Sequence, residues 1–110
     1  MFEKDLKKAY LLDVYGDVLT SRKKEVLDMY YNEDLSLGEI AEQIGISRQG
    51  VRDMIKKGEE ELLFLEEKLH LAEKLSILRR HSDTLLDMAK DFDIPKNMLD
   101  EINEISNAVK

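Results

Sequence analysis

Basic and polar residues between positions 47 and 56 have side chains suited to contacts with a nucleic acid. Arginine donates paired hydrogen bonds to a guanine edge or a phosphate, and glutamine can pair with adenine. At helical spacing these side chains share the outer side of one helix. A second basic cluster begins near position 22. The candidate residues are Ser47, Arg48, Gln49, Arg52 and Lys56, together with Arg22, Lys23 and Lys24 in the second cluster.

The second cluster falls in the first turn of a predicted helix, where the helix dipole disfavours cations by a few tenths of a kcal/mol or more. Arg22, Lys23 and Lys24 there are either phosphate contacts or an ordinary solvated run.

The stretch from Ser36 to Met54 positions the first cluster and has the pattern of a helix-turn-helix. Ser36 and Glu39 have the spacing of a capping box, and Gly45 suits the left-handed residue that ends a helix. Ser47 is placed to cap the second helix. Such a motif also serves for packing or protein contact alone. The inward residues are Leu37, Ile40, Ala41, Ile44, Val51 and Met54.

The composition favours an all-α fold. The chain has 110 residues, 43% hydrophobic and 37% charged, with one proline, five glycines and no cysteine. We therefore expect no disulfide, and we find no metal-ligand spacing, phosphate loop or nucleophile–base pair. The sequence predicts no catalytic residues, no cofactor and no enzyme activity. Since no signal peptide or membrane-spanning run is present, we expect a cytoplasmic protein without membrane insertion.

The helices group into two predicted regions, a helix-turn-helix domain over residues 1–57 and a helical extension over residues 58–110. The apolar spacing predicts a first helix over about residues 3–18 and a second over about residues 22–31. The helix that starts at Arg48 should continue to Glu73, and Pro95 should open a last helix that ends near Ala108.

An apolar seam at alternating spacings of three and four follows the long helix. Such a seam needs a partner, which is either the last helices of the same chain or the same helix of a second chain. We predict a homodimer through this seam. Gly58 lies within it, and costs about 1 kcal/mol in a helix interior unless it permits a close crossing or a kink. The predicted dimer seam comprises Ile55, Leu62, Leu65, Leu69 and Ala72.

The net charge of −7 argues against general affinity for polyanions. Acidic residues are concentrated in the long helix, where we expect them on exposed faces. The basic clusters nevertheless allow a locally positive face on an acidic body. The acidic residues concerned are Glu59, Glu60, Glu61, Glu66 and Glu67.

Segments from position 19 to position 52 resemble region four of bacterial sigma factors, which reads promoter DNA. A closer resemblance is to the YlxM family of small bacterial proteins. It covers about residues 10–72. The residues that carry it are Asp13-Val14-Tyr15-Gly16-Asp17-Val18-Leu19-Thr20, Tyr30-Tyr31-Asn32-Glu33-Asp34-Leu35-Ser36-Leu37, Ile46-Ser47-Arg48-Gln49-Gly50-Val51 and Glu66-Glu67-Lys68-Leu69.

This resemblance implies an all-α fold with a sigma-like helix-turn-helix, to which the apolar pattern adds a long helix and C-terminal helices. It also implies association with the signal recognition particle pathway, because the family's genes lie beside those of the particle's GTPase and its receptor. Two functions follow as expectations. The first is a regulator that reads DNA through the face around Arg48. The second is an accessory factor that binds the particle's RNA or its GTPase. Gly50 departs from an expected alanine and loosens the reading helix, whereas Arg52 departs from an expected aromatic or histidine and adds charge to it.

Overall fold

The computed structural model describes residues 5–110, and within that range the chain folds into six α-helices and one short 3₁₀-helix, with no strand. The predicted all-α fold is confirmed. The helices are α1 (Leu6–Tyr15), α2 (Ser21–Tyr31), α3 (Leu37–Ile44), α4 (Arg48–Leu69), α5 (Leu71–Ala89) and α6 (Lys96–Ala108), and the 3₁₀-helix is Gly16–Val18.

The first unit ends at His70, and α4 is its central element because α1, α2 and α3 all pack against it. One face of α4 is buried along its first four turns. The side chains that form the core of this unit are Leu11, Leu12, Tyr15, Leu19, Val26, Leu27, Ile40, Ala41, Val51, Ile55 and Leu62.

The helix-turn-helix forms as the sequence predicts. The Ser36 Oγ accepts from the Glu39 amide at 3.1 Å, and the Glu39 carboxylate accepts from the Ser36 amide at 3.0 Å, which completes the capping box. Gly45 ends α3 in the left-handed conformation, at φ 76°. The Ser47 Oγ accepts from the Gly50 amide at 3.0 Å and caps α4. Three local signals thus set both helix boundaries at the turn.

The first helix is shorter than predicted. Its regular part runs from Leu6 to Tyr15, and the backbone tightens into the 3₁₀-helix at Gly16. Residues 3 and 4 of the predicted helix lie outside the described residues. The Thr20 Oγ1 accepts from the Lys23 amide at 3.3 Å, so Thr20 rather than Ser21 caps α2.

The prediction of one continuous helix from Arg48 to Glu73 is wrong. Helix α4 ends at Leu69, because His70 adopts the left-handed conformation at φ 54° and its amide donates to the Glu66 carbonyl at 2.9 Å. A left-handed histidine ends a helix as asparagine or glycine does, at a greater steric cost. Neither glycine nor proline marks this position, so the sequence held no local signal for the break.

The apolar seam of α4 is covered mainly within its own chain. Ile55 and Leu62 are buried in the first unit, which corrects their assignment to a dimer seam. Leu65 is half-buried and Leu69 is exposed, whereas Ala72 belongs to α5. A regular three–four apolar spacing shows that a helix face is covered, but does not show which chain covers it.

The second unit comprises residues 71–110, in which α5 and α6 pack together. The contacts therefore divide the chain after His70, whereas the predicted boundary at residues 57/58 falls inside α4. Pro95 precedes α6, as predicted. Among the described residues, no helix is long and apolar enough to cross a membrane.

At Gly58, α4 packs so closely on α2 that no side chain has room there. A β-carbon built at position 58 would lie 2.6 Å from Cδ1 of Leu27, a fully buried side chain. We predict that Gly58→Ala destabilises the protein by about 1–3 kcal/mol, because overpacking outweighs the gain in helix propensity. Urea unfolding measures this change.

A double-mutant cycle separates the clash from other effects of the alanine. In the Leu27→Ala background the obstructing atom is gone, so Gly58→Ala should be neutral or stabilising there. Equal destabilisation in both backgrounds would contradict close packing at Gly58.

Candidate nucleic-acid interface

The candidate interface is a basic stripe along the first half of α4. Arg48, Arg52 and Lys56 follow one another at intervals of four residues, and all three are exposed. Residues four apart lie beside each other on a helix surface. None of the three forms an ion pair with any residue in the range 5–110. We call Arg48, Arg52 and Lys56 the α4 stripe.

Two further candidates on α4 are engaged in local contacts. The Gln49 amide nitrogen donates to Asp53 Oδ1 at 3.0 Å, one turn along the helix. The Ser47 Oγ accepts the capping bond from Gly50, which leaves its hydroxyl hydrogen to donate elsewhere. The outer surface of the helix therefore also presents an acidic group, Asp53, beside Gln49.

The guanidinium of Arg48 lies over the first turn of α3, at Gly38. A β-carbon built at position 38 would lie 3.1 Å from its Nε. Because Gly38 has no side chain, the Arg48 guanidinium can lie against the first turn of α3. Sequence reasoning did not connect these two residues, since the contact joins different helices.

A shallow groove of about 360 Å³ lies beside the stripe, where the end of α2 and the start of α3 meet α4. Tyr30, Leu37 and Ile55 contribute its apolar part, and Arg52 and Lys56 its cations, with Glu59 at one end. Burial raises the pKa of Tyr30, with the Glu59 carboxylate as a further cause, while Arg52 acts in the opposite direction. The cations beside this groove could donate hydrogen bonds to base edges, and its apolar part could contact a thymine methyl group.

The second predicted cluster is engaged elsewhere, and its Lys23 lies on the other side of α4. Lys23 pairs with Glu61, which is nine residues from Arg52 and so about 180° around the helix at 100° per residue. Lys24 pairs with Asp17 at 2.6 Å, and this hydrogen bond raises the pKa of Lys24 and lowers that of Asp17. The structure therefore does not join Lys23 to the α4 stripe. Arg22 is exposed on the first turn of α2.

Acidic residues of α4 hold the helix against its neighbours, contrary to the prediction that they lie on exposed faces. The Tyr15 hydroxyl donates to Glu66 Oε1 at 2.6 Å, and the Tyr31 hydroxyl donates to Glu59. Lys8 Nζ also lies 3.8 Å from Glu59. Glu60 and Glu67 remain exposed, as predicted. These contacts, with the Lys23–Glu61 pair, flank the buried face of α4 and fix the orientation of the stripe.

The sequence of the chain matches a described protein family. Residues 2–105 match a family model described as "Putative helix-turn-helix protein, YlxM / p13 like". The chain belongs to this family. Its resemblance to YlxM proteins is thereby confirmed, and the match extends well beyond residues 10–72.

Relatives in this family are found in several bacteria, under the name UPF0122 protein. The chain is 40% identical over 110 residues to one from Clostridium kluyveri, which covers 97% of this chain and 99% of the relative. It is 50% identical over 86 residues to one from Acetivibrio thermocellus, and this match covers 78% of this chain and 74% of the relative. It is 41% identical over 101 residues to one from Listeria innocua, and this match covers 92% of this chain and 88% of the relative.

The Tyr31–Glu59 bond gives a pH-dependent prediction. Burial is the main cause that raises the pKa of Tyr31, and its hydrogen bond to Glu59 is the next. We predict that Tyr31→Phe lowers the free energy of unfolding by about 1.5–3 kcal/mol near pH 8, since a bond to a charged acceptor is lost.

The difference between wild type and Tyr31→Phe should shrink at alkaline pH. A raised folded-state pKa means that the contribution is complete below the unfolded tyrosine's pKa of about 10 and falls as pH rises above it. Urea unfolding of both proteins across that range measures the difference. A constant difference would show that folding does not raise the pKa of Tyr31, and would contradict the buried hydrogen bond to Glu59.

Proposed function

We propose that this protein is a regulator that binds DNA through the α4 stripe. The observation that carries the proposal is the set of three exposed cations, unpaired within residues 5–110, on the second helix of a helix-turn-helix. Membership of a helix-turn-helix family supports the same function. In such motifs the second helix lies in the major groove and its first residues contact base edges.

Each residue of the stripe has a role that follows from its position. Arg48 stands in the first turn of α4, where it can donate paired hydrogen bonds to a guanine or a phosphate. Arg52 lies one turn further, beside the apolar groove, and suits a base edge flanked by a methyl group. Lys56 lies one turn beyond Arg52 and suits a phosphate, which requires charge without a fixed geometry.

The acidic remainder of the chain shapes the expected binding. With a net charge of −7, the protein as a whole repels DNA, and the stripe supplies a local attraction. Non-specific affinity should therefore lie at the weak end of the usual range, about 10⁻⁴ M at physiological salt. A specific site must add base contacts to overcome this repulsion.

We predict that the double substitution Arg48→Ala and Arg52→Ala weakens binding to duplex DNA at least about tenfold, since each arginine contact contributes about 1–3 kcal/mol. Both side chains are exposed, so the helicity should not change. Fluorescence anisotropy at low salt measures the affinity, and circular dichroism measures the helicity.

The matched control is Lys23→Ala with Lys24→Ala. It removes the same charge, but from cations that are paired within the chain, one of them on the opposite side of α4. The control should bind DNA with nearly wild-type affinity. If the two double variants lose affinity equally, binding depends on net charge and the stripe is not the reading face.

A second candidate is an accessory factor of the signal recognition particle, and the net charge of −7 favours its protein contact because an acidic protein has weak general affinity for polyanions. The same stripe would then contact the particle's RNA, or α4 would contact its GTPase. This function rests on the resemblance to YlxM proteins.

The second candidate predicts that the protein co-elutes with reconstituted particle at physiological salt and changes its rate of GTP hydrolysis. The Arg48→Ala and Arg52→Ala variant tells an RNA contact from a GTPase contact, because only the former depends on the stripe. Absence of both co-elution and a change in hydrolysis would exclude this function.

A further inference from the structure

The side of α4 that points away from the core carries a polar pair of side chains. Gln49 and Asp53 each lie two residues from Val51, so each is about 160° around the helix from that fully buried side chain. Both are exposed. Arg48 and Arg52 are only about 60° and 100° around the helix from Val51. The two arginines therefore flank an outer ridge of α4 that Gln49 and Asp53 form.

This ridge contains the only acidic side chain in the first two turns of α4. The Gln49 amide nitrogen donates to Asp53 Oδ1 at 3.0 Å, and this bond orders the carboxylate. Asp53 forms no ion pair with any residue in the range 5–110, although Arg52 precedes it. An ionised carboxylate accepts hydrogen bonds and donates none, and two oxygens offer more acceptor sites than Gln49 uses. Asp53 therefore presents negative charge and free acceptor sites on the outer ridge.

A carboxylate on this ridge cannot contribute to general affinity for DNA, because phosphates repel it. It is favourable only against a hydrogen-bond donor on a base edge. In the major groove those donors are N4 of cytosine and N6 of adenine, whereas guanine O6 and N7 and thymine O4 are acceptors. Adenine N6 lies beside the N7 acceptor, which also repels a carboxylate. Cytosine N4 has no acceptor beside it on the same base, so cytosine is the base that suits Asp53.

We infer that Asp53 is a specificity-determining residue, which selects cytosine in the major groove by accepting a hydrogen bond from its N4 amino group. This inference rests on the proposed function and deepens it. The neighbouring Arg48 and Arg52 have donors for guanine O6 and N7, so α4 presents groups that match both bases of G·C pairs. The carboxylate also disfavours thymine and guanine at its own position, and such repulsion is a common source of specificity.

Selection from a random library of DNA duplexes at low salt, with the full chain, tests the inference. Wild type should enrich a motif that has cytosine at one position. For Asp53→Ala, the preference at that position alone should fall about fivefold or more, since one wrong base pair typically weakens binding by at least this factor. The side chain is exposed, so the variant should keep the wild-type helicity. If Asp53→Ala enriches the wild-type motif unchanged, the inference is wrong.

The matched control is Glu60→Ala. It also removes one exposed carboxylate from α4, but from a position about 10 Å further along the helix than Asp53. In a helix-turn-helix the first residues of the second helix contact base edges, so the control should enrich the wild-type motif. A control variant that loses the same cytosine would show that the preference follows net charge, and would overturn the role of Asp53.

A modified base tests the hydrogen bond itself at the selected position. N4-methylcytosine keeps its pairing with guanine, but a methyl group replaces the amino hydrogen that faces the major groove. This replacement should weaken wild-type binding about fivefold or more and should have little effect on binding by Asp53→Ala. Fluorescence anisotropy with both duplexes and both proteins measures the difference. Equal weakening of the two proteins would exclude Asp53 as the acceptor.

These measurements separate a failure of this inference from a failure of the proposed function. If wild type binds duplex DNA without enriching any motif, DNA binding stands and the role of Asp53 is wrong. If wild type binds no duplex even at low salt, the proposed function is wrong, and the role of Asp53 is wrong with it.

Discussion

The close approach of α2 and α4 at Gly58 is the contact on which the first unit depends. Leu27 occupies the space that a side chain at position 58 would fill, so the bare backbone of Gly58 lets α4 pack against α2. Val51, Ile55 and Leu62 are buried on the same side of α4, and each contributes about 1.5–3 kcal/mol through its removal from water. Once this face is fixed inward, the α4 stripe must face outward.

One helix therefore carries both the core and the candidate interface. The first half of α4 presents the α4 stripe, and the part of α4 beyond Lys56 supplies Glu59, Glu61 and Glu66 to neighbouring helices. These carboxylates neutralise lysines on α1 and α2 and accept hydrogen bonds from tyrosine hydroxyls on the same two helices. An acidic protein can in this way present a local basic surface.

The parts of the fold that depend on local chemistry could be predicted from the sequence. The caps at Ser36 and Ser47 and the left-handed turn at Gly45 involve residues within a few positions of one another. Features that depend on distant contacts could not. The separation of Lys23 from the α4 stripe follows from its pair with Glu61 on another helix, and the break at His70 occurs without a glycine or proline at that position. The pattern of apolar residues indicated a covered helix face, but not that Ile55 and Leu62 are covered by their own chain.

The most direct test of the account is to follow backbone amide chemical shifts of the full chain while duplex DNA is added at low salt. If the α4 stripe binds DNA, the perturbed amides should lie in the first two turns of α4 and at the start of α3. The second location follows because the Arg48 guanidinium lies against Gly38. Amides of α1 and α6 should not shift. Perturbations centred on α5 and α6, or none at all as DNA is added, would contradict the claim that the α4 stripe is the nucleic-acid interface.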